Sequence, residues 1–436
     1  MTELWYRLNI LGEKNFFERK DLIDGLIVPA HLVAYYEIAI PEFLSNLGLP
    51  LLIDPMTYVW GIDPQHISKE GDLKKSYKKL VEKLDCKIAN ILGEQGIQKI
   101  KEDSLEFQEF IDKVLKFQLL GDVKKTPRRT SMERLKHYGE KTKPEEPVRI
   151  RPYALIPPYF YFSTVLGPAY QKTVYSATFA KDSDYGKQHK ICPCLCMDKI
   201  LLADEGQLNK VIEDFKDFSE VILWINDLDE TEARLHELTG FVDLISKFRE
   251  AKIDVINLYG GYFSLILNHI GLSKLSCGIC YSHRKGVFAE VGGGGLPTRY
   301  YEPHLKKKLL ADDMIRLYSD TPELFTCNCP ICSSHSEKYR TVQTTADKES
   351  ILTSFFGELG EGIKMKKEGI IDWKKSRWHF LYVRKMEQKY TNENKLEDIV
   401  SDLMEKYNLR IDAGRLGLRV PSLEYLKLWA DSLEGK

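Results

Sequence analysis

An apolar run stands at Val221-Ile222-Leu223-Trp224-Ile225-Asn226, where five hydrophobic residues precede one asparagine. Residues 231–251 follow with helical spacing, and a second apolar run stands at Asp254-Val255-Ile256-Asn257-Leu258. Strands of a parallel sheet have such runs because helices cover both faces of the sheet. The stretch therefore predicts a strand–helix–strand unit with two parallel strands.

The same alternation extends in both directions from this unit. Further strand candidates are 26–29, 50–54, 152–156, 190–196, 275–281 and 299–301, and helical spacing recurs at 73–84, 105–120, 207–218 and 305–318. Eight strands across roughly 300 residues predict an α/β fold that closes as a (β/α)₈ TIM barrel. An open doubly wound sheet is the alternative, but no G-x-G-x-x-G follows the first candidate.

Three regions are expected along the chain. The barrel takes 1–320 with a basic insertion at about 121–148, a zinc-binding subdomain takes 321–390, and a charged helical tail takes 391–436.

Composition narrows the class of protein. The 436 residues carry a formal net charge of −1, so any nucleic-acid site must be a local basic patch. No apolar run reaches membrane-spanning length, and the first residues lack a signal-peptide pattern. Nine cysteines in uneven clusters suit a reducing cytosol better than a disulfide framework. We expect a cytoplasmic protein without membrane contact.

Three cysteines fall within six residues at Cys327-Asn328-Cys329-Pro330-Ile331-Cys332. Thiolates at this spacing suit a zinc ion, which needs a fourth ligand. His379 lies in a segment with helical character and is the predicted ligand, whereas His335 is closer in sequence and is the alternative. Four protein ligands would make the site structural. Three buried free cysteines would explain the same letters.

Polar residues follow several of the strand candidates, and function gathers at strand ends in a barrel. Asp54 could act there as acid, base or nucleophile, or it could cap the next helix. Asn226 and Asp227 could hydrogen-bond the edge of a ligand, or they could simply turn the chain.

Paired glycines flanked by tyrosines follow the strand candidate at 254–258, in the order Tyr259, Gly260, Gly261 and Tyr262. The glycines would let a ligand approach the backbone, and the tyrosines could stack on a planar ring. A glycine turn with tyrosines in the core explains the same sequence.

Three loops could bind anions. Ser282, His283 and Arg284 form a polar, basic cluster after one strand candidate, and four glycines at 292–295 could present a row of N–H groups. The segment 124–143 holds eight Lys or Arg against two Glu and could contact phosphates. A solvated loop would explain the first cluster, and a flexible linker or lid would explain the glycines. A charge run such as 124–143 is usually solvated surface, and the basic segment could also bind an acidic protein.

The order of these motifs resembles the tRNA-guanine transglycosylase superfamily. Leu51-Leu52-Ile53-Asp54 ends an early strand, Leu296-Pro297-Thr298-Arg299 follows later, and then come the C-x-C-x-x-C knuckle and a helix that carries a histidine. The resemblance implies a (β/α)₈ barrel with a structural zinc subdomain, often homodimeric. These enzymes exchange guanine for a 7-deazaguanine in tRNA or DNA through a covalent aspartate–ribose intermediate.

Carried over to this chain, the resemblance makes Cys327, Cys329, Cys332 and His379 the zinc ligands. It makes Asp54 the early active-site aspartate, and Arg299 belongs to the motif near the substrate site.

The chain departs from the family pattern at its catalytic positions. Pro55 follows Asp54 where the family has Ser-Gly-Gly-Phe-Gln, Gly293 stands at the nucleophile position, and Tyr259 replaces the base-recognition glutamine. Without a carboxylate at Gly293, the covalent intermediate has no evident attacking group.

The sequence therefore predicts a transglycosylase-like protein that acts on or binds a 7-deazaguanine-type base on a larger partner, with altered or lost base exchange. The partner could be tRNA, DNA or protein, and divergent members of the superfamily occur in antiphage defence. An active divergent transglycosylase, and an unrelated zinc-stabilised barrel enzyme, are the alternatives.

Overall fold

The computed structural model describes residues 1–17, 19–69, 71–91, 93–120, 122–123, 148–279, 285–288, 298–359, 365–408 and 423–436. The predicted sites at Ser282, His283 and Arg284, the glycine run with Gly293, and the basic segment 124–143 lie outside these residues.

The main sheet of the described chain has seven strands. They are β1 (Glu3–Arg7), β2 (Gly25–Pro29), β3 (Leu51–Asp54), β4 (Cys194–Asp198), β5 (Glu220–Asn226), β6 (Asp254–Asn257) and β7 (Leu272–Cys277). Their order in the sheet is β3-β2-β1-β7-β6-β5-β4. Parallel register is seen where Leu26 pairs with Leu51 and Val255 pairs with Leu272. Every residue of β5 is buried, as its apolar run predicts.

The prediction of a barrel strand at 299–301 is wrong. Arg299–Glu302 (β8) pairs antiparallel with Lys307–Leu310 (β9) in a separate hairpin. A short connection permits a hairpin, whereas a parallel partner would need a long crossover. The place beside β7 belongs instead to β1, which the sequence analysis did not predict.

The predicted strand at 152–156 appears as a backbone bridge in the described chain. Tyr153 N donates to Leu51 O at 2.7 Å, and Leu155 forms an isolated parallel bridge with Ile191. Residues 153–155 thus bond to β3 through Tyr153 and to the segment before β4 through Leu155.

Helices alternate with the strands. In the described residues they are α1 (Lys14–Phe17), α2 (Ala30–Tyr35), α3 (Ala39–Leu47), α4 (Lys75–Leu84), α5 (Glu94–Gln98), α6 (Leu105–Gln118), α7 (Pro168–Asp182), α8 (Asp184–Gln188), α9 (Glu205–Phe215), α10 (Leu235–Glu250), α11 (Tyr262–Ile266), α12 (Ala311–Asp320), α13 (Ser333–Thr341), α14 (Thr345–Phe356), α15 (Trp373–Glu393), α16 (Leu396–Tyr407) and α17 (Glu424–Leu433). None of them combines the length and the hydropathy needed to cross a bilayer.

The chain divides into two compact units. The first unit comprises Tyr6–Cys196 and Glu220–Ile222, and the second comprises Met1–Trp5, Met197–Ser219 and Leu223–Lys436. The predicted boundaries near 320 and 390 fall within the second unit and stay predictions.

Both units have aromatic cores. The first is built around rings such as Trp60 and Phe110, whose centroids lie 5.4 Å apart. In the second, Tyr318 stacks on Phe325 at 4.7 Å.

Candidate metal centre

Four potential metal ligands meet in the second unit. The ligand atoms of Cys327, Cys329, Cys332 and His379 all lie within 4.8 Å of one another, and all four residues are buried. In the described residues this is the one group of its kind. The structure thus brings together the ligand set that the sequence predicts.

The knuckle is a tight turn that leads directly into α13. The carbonyl of Cys329 accepts hydrogen bonds from Cys332 N at 2.9 Å and from Ser333 N at 3.0 Å. Ser336 Oγ donates to the carbonyl of Cys327 at 2.8 Å, which fastens the start of the knuckle to the helix. These local bonds direct the three sulfur atoms inward together.

The histidine comes from α15, whose N-terminus is capped by Asp372 through bonds from Lys374 N and Lys375 N. His379 Nε2 lies 2.7 Å from the carbonyl oxygen of Tyr301. A carbonyl oxygen can only accept, so Nε2 carries the proton and donates it. The lone pair of the neutral ring is then on Nδ1, which is the arrangement that orients a metal-binding imidazole.

Nδ1 of His379 faces all three thiols. It lies 3.8 Å from Cys327 Sγ, 3.3 Å from Cys329 Sγ and 3.2 Å from Cys332 Sγ. The ring of Tyr300 stacks on the imidazole at 4.0 Å between centroids, and its hydroxyl lies 3.2 Å from Cys332 Sγ. Aromatic packing therefore holds the imidazole and keeps water away from the sulfur atoms.

The electrostatics suit a divalent cation. Burial opposes a charged imidazole, but hydrogen bonds with Cys327 and Cys329 outweigh it and raise the pKa of His379 to about 10. Burial raises the pKa of Cys332, whereas hydrogen bonds with Cys327 and Cys332 lower the pKa of Cys329. His379 and Cys332 therefore hold protons beside a Cys329 thiolate, and a metal ion would displace those protons on binding. A Cys₃His set with no open position is the donor set of structural zinc sites.

His335, the alternative ligand, lies outside this cluster. Its ring packs against Phe355 at 5.0 Å, and its Nδ1 contacts Ser334 Oγ at 3.1 Å. The structure therefore favours His379 as the fourth ligand.

Asp54 is buried at the end of β3 in the first unit, with 2% of its surface exposed. Oδ2 accepts from Arg7 at 2.6 Å, while Oδ1 accepts from Tyr159 Oη at 2.7 Å and from Met56 N at 2.9 Å. Burial alone would raise its pKa, but the charge of Arg7 and these hydrogen bonds lower it. Both oxygens are committed within the protein, which fits a structural carboxylate better than an acid or nucleophile.

Asn226 and Asp227 turn the chain at the end of β5. Asn226 accepts from Val287 N at 2.7 Å and donates to Asp198 at 3.3 Å. Asp227 has a φ of 53° and donates its N–H to the carbonyl of Lys285. Both residues thus fasten the described part of a neighbouring loop, and their predicted ligand-binding role stays a prediction.

The remaining predicted ligand-binding residues have different surroundings. Tyr259 is buried against Trp224 at 5.3 Å, which supports a core role for its ring. Gly260 lies beside Ser264 and Asn257, and Gly261 lies beside Glu230. Arg299 is exposed, and its carbonyl accepts a hydrogen bond from Ser376.

A buried acid beside the paired glycines is a site residue that the sequence analysis missed. Glu230 accepts a hydrogen bond from Ser264, which in turn accepts from Asn257 Nδ2 at 2.8 Å. A Cβ at Gly261 would lie 2.7 Å from Glu230 Oε2, so the glycine permits this close approach. Burial raises the pKa of Glu230. Its sequence context, an acidic turn after β5, gave no sign of burial.

We call Glu230, Asn257, Gly260, Gly261 and Ser264 the acid–glycine cluster, and α17 packs beside it. Trp429 of α17 donates from Nε1 to the carbonyl of Glu230 at 2.7 Å and packs on Tyr262. The hydroxyl of Tyr262 is buried and has no hydrogen-bond partner among the described residues. The cluster therefore holds a polar atom that a small ligand could satisfy.

Comparisons of the chain with protein-family models, with curated proteins and with solved structures give no match in any of the three.

Proposed function

We propose that the chain is a zinc-stabilised, transglycosylase-like barrel protein that binds a guanine or 7-deazaguanine-type base carried by tRNA, DNA or a protein, with altered or lost base exchange. The buried Cys₃His centre carries the proposal, because it supports the most specific part of the family resemblance. Such a centre supplies folding energy rather than chemistry, since all four positions are filled by the protein.

The closure of the barrel is part of this proposal. The order β3-β2-β1-β7-β6-β5-β4 leaves two edge strands in the described chain. The bonds of Tyr153 and Leu155 reach β3 on one side and the approach to β4 on the other. If 153–155 counts as the missing strand, eight strands follow one another around a ring in chain order, which is the topology of a (β/α)₈ barrel.

Two observations support altered or lost exchange. Gly293 supplies no nucleophile, and both oxygens of Asp54 are engaged by Arg7, Tyr159 and a backbone N–H. Neither position therefore offers a carboxylate ready to attack a ribose.

Base binding has support at a different place. The acid–glycine cluster offers a carboxyl, a hydroxyl and the backbone of a glycine turn, all buried, which are groups that hydrogen-bond the edge of a planar base. The raised pKa of Glu230 favours the second candidate function, an active divergent transglycosylase. A carboxyl group that holds its proton suits acid–base catalysis.

Incorporation of labelled guanine into bulk tRNA and DNA separates these possibilities, alongside equilibrium binding of free guanine and 7-deazaguanine. We expect binding without turnover, and weaker binding by Glu230→Gln. Robust turnover would favour the runner-up. Absence of both turnover and binding would contradict the proposal.

A further inference from the structure

One exposed face of α15 joins lysines to aromatic rings. We call it the lysine–aromatic stripe, and it consists of Lys374, Lys375, Trp378, Tyr382, Lys385 and Lys389. These positions recur at helical spacing on the face opposite the buried side chains of Phe380, Arg384 and Glu387. From first to last the stripe spans about 22 Å along the helix.

The stripe is accessible to a partner. Lys374, Lys375 and Lys389 are exposed, and the side chain of Lys389 is 74% exposed. Trp378 and Tyr382 are half-buried and lie against each other at 6.3 Å between ring centroids. Lysines therefore flank a pair of aromatic faces along one line.

The charge of the stripe contrasts with that of the chain. The whole protein has a formal net charge of −1, yet the stripe has four lysines. Glu393, at the end of α15, is the exposed acid of this helix, and it lies 3.9 Å from Lys389. The helix therefore presents a local excess of positive charge.

A lysine-rich helix elsewhere shows that this excess is not a general property. On α4, Lys78, Lys79 and Lys83 lie within 4 Å of Asp72, Glu82 and Glu37, at 3.7, 2.7 and 3.0 Å respectively. Each lysine of that face thus has its own carboxylate.

We propose that the lysine–aromatic stripe binds a single-stranded stretch of nucleic acid. Lysines at intervals neutralise successive phosphates, and exposed aromatic faces stack on unpaired bases. A second copy of the chain is a poorer occupant, because a two-fold interface through this face would set the same lysines against one another.

The inference deepens the proposed function by naming a nucleic acid as the larger partner and α15 as its contact. The anchoring of α15 by His379 would give the metal centre a role in presenting the stripe. The two proposals can fail separately, because oligonucleotide binding is measured without a free base and base binding without an oligonucleotide.

The test measures the affinity of the full chain for fluorescent single-stranded RNA and DNA oligonucleotides across a salt series. The stripe variant is Lys374→Glu/Lys375→Glu/Lys389→Glu, and the control with the same charge change is Lys78→Glu/Lys79→Glu/Lys83→Glu. Acidic residues are favourable near a helix N-terminus, so the changes at 374 and 375 should not impair folding of α15.

We expect the stripe variant to bind at least about tenfold more weakly at low salt, with the slope of log affinity against log salt reduced by about 2, or 0.7 for each lost phosphate contact. The control should retain affinity. A second variant, Trp378→Ala, should weaken binding with little change of slope, because stacking does not release counterions. The RNA and DNA arms identify the kind of strand.

Equal losses in the stripe and control variants would overturn the inference, as would undetectable binding by the unmodified chain at low salt. A dimer that dissociates in the stripe variant, seen by light scattering, would instead assign the face to a second copy.

Discussion

His379 shows what a single residue reveals before and after folding. Its pairing with the knuckle follows from ligand type and from a helical segment that could carry it, so the sequence can name all four ligands. The carbonyl of Tyr301, which fixes the proton on Nε2, is not foreseeable, because β8 was assigned to a different sheet. Local spacing predicts ligands, whereas long-range packing determines how they are oriented.

Asp54 and Glu230 show that the sequence does not predict the surroundings of a carboxylate. The position of Asp54 after an apolar run predicts a role at a site, yet its oxygens accept hydrogen bonds from Arg7 and Tyr159. Glu230 lies in an acidic turn that predicts solvent exposure, yet it is buried. Burial of a carboxylate depends on partners distant in sequence, and composition does not report them.

Arg7 should be essential for stability because it compensates a buried charge. Replacing it in Arg7→Met leaves Asp54 buried without its cation, and we expect a loss of about 3–5 kcal/mol in the free energy of unfolding at pH 7. Denaturant titration measures this loss. Arg19→Met breaks the exposed pair with Asp21 and should change stability by less than about 0.5 kcal/mol.

The pH dependence of this effect has a definite sign. Asp54 has a lowered pKa in the folded chain, so its contribution to stability is present above the unfolded value of 3.8 and is lost as pH falls through the folded value. In Arg7→Met, burial would dominate and the carboxyl would accept a proton at higher pH. The difference between variant and wild type should therefore shrink from pH 7 to pH 5; a constant difference would contradict the charge-based explanation.

At the scale of elements, helices were easier to predict than strand partners. Helical spacing at 105–120 and 231–251 corresponds to Leu105–Gln118 and Leu235–Glu250. The periodicity of an amphipathic helix is contained in its own residues, whereas a strand needs a partner strand that can lie anywhere in the sequence. The first strand, Glu3–Arg7, is beside β7, more than half the chain away.

Close packing of α10 depends on one glycine. A Cβ at Gly240 would lie 2.2 Å from the carbonyl oxygen of Leu202, so Gly240→Ala must push the backbone of Lys199–Ala203 aside. We expect a loss of about 1–3 kcal/mol. The control is Gly206→Ala in α9, where the nearest atom is Asp204 Oδ1 at 3.4 Å.

For Gly206→Ala we expect a neutral effect or a gain of up to about 1 kcal/mol, because alanine is the better helix former. Thermal or denaturant unfolding of the two variants gives the comparison. Similar effects in both would mean that α10 does not pack on the 202 backbone as closely as the structure shows.

At the scale of the whole molecule, the alternation of strands and helices predicts an α/β fold with a parallel sheet, and the structure confirms this coarser statement. Whether such a sheet closes depends on which edges meet, and the strand candidate at 152–156 does not indicate the partners that Tyr153 and Leu155 have in the structure. The predicted homodimer stays a prediction, and light scattering at micromolar concentration tests it.

The metal centre joins parts of the second unit that are distant in sequence. Loss of the metal should therefore destabilise more of this unit than the knuckle alone. The cysteines and His379 are separated by 47 to 52 residues, so one ion would cross-link the knuckle before α13 to α15. The hydrogen bond from His379 to the carbonyl of Tyr301 extends this connection to β8. Binding to the folded state alone stabilises it by about 4 kcal/mol when the free metal exceeds the dissociation constant a thousandfold.

We therefore expect one zinc per chain by elemental analysis, and a melting temperature that falls when a chelator removes it. Cys329→Ser should resemble the chelated protein and gain nothing from added zinc, because a hydroxyl replaces a thiolate ligand. Cys86→Ser, at a buried cysteine outside the cluster, should keep both the zinc and the response to chelator. If wild type, Cys86→Ser and Cys329→Ser melt alike with and without chelator, the cluster is not a structural zinc site, and its burial reflects only the packing of Tyr300, Phe355 and Phe356 around three thiols.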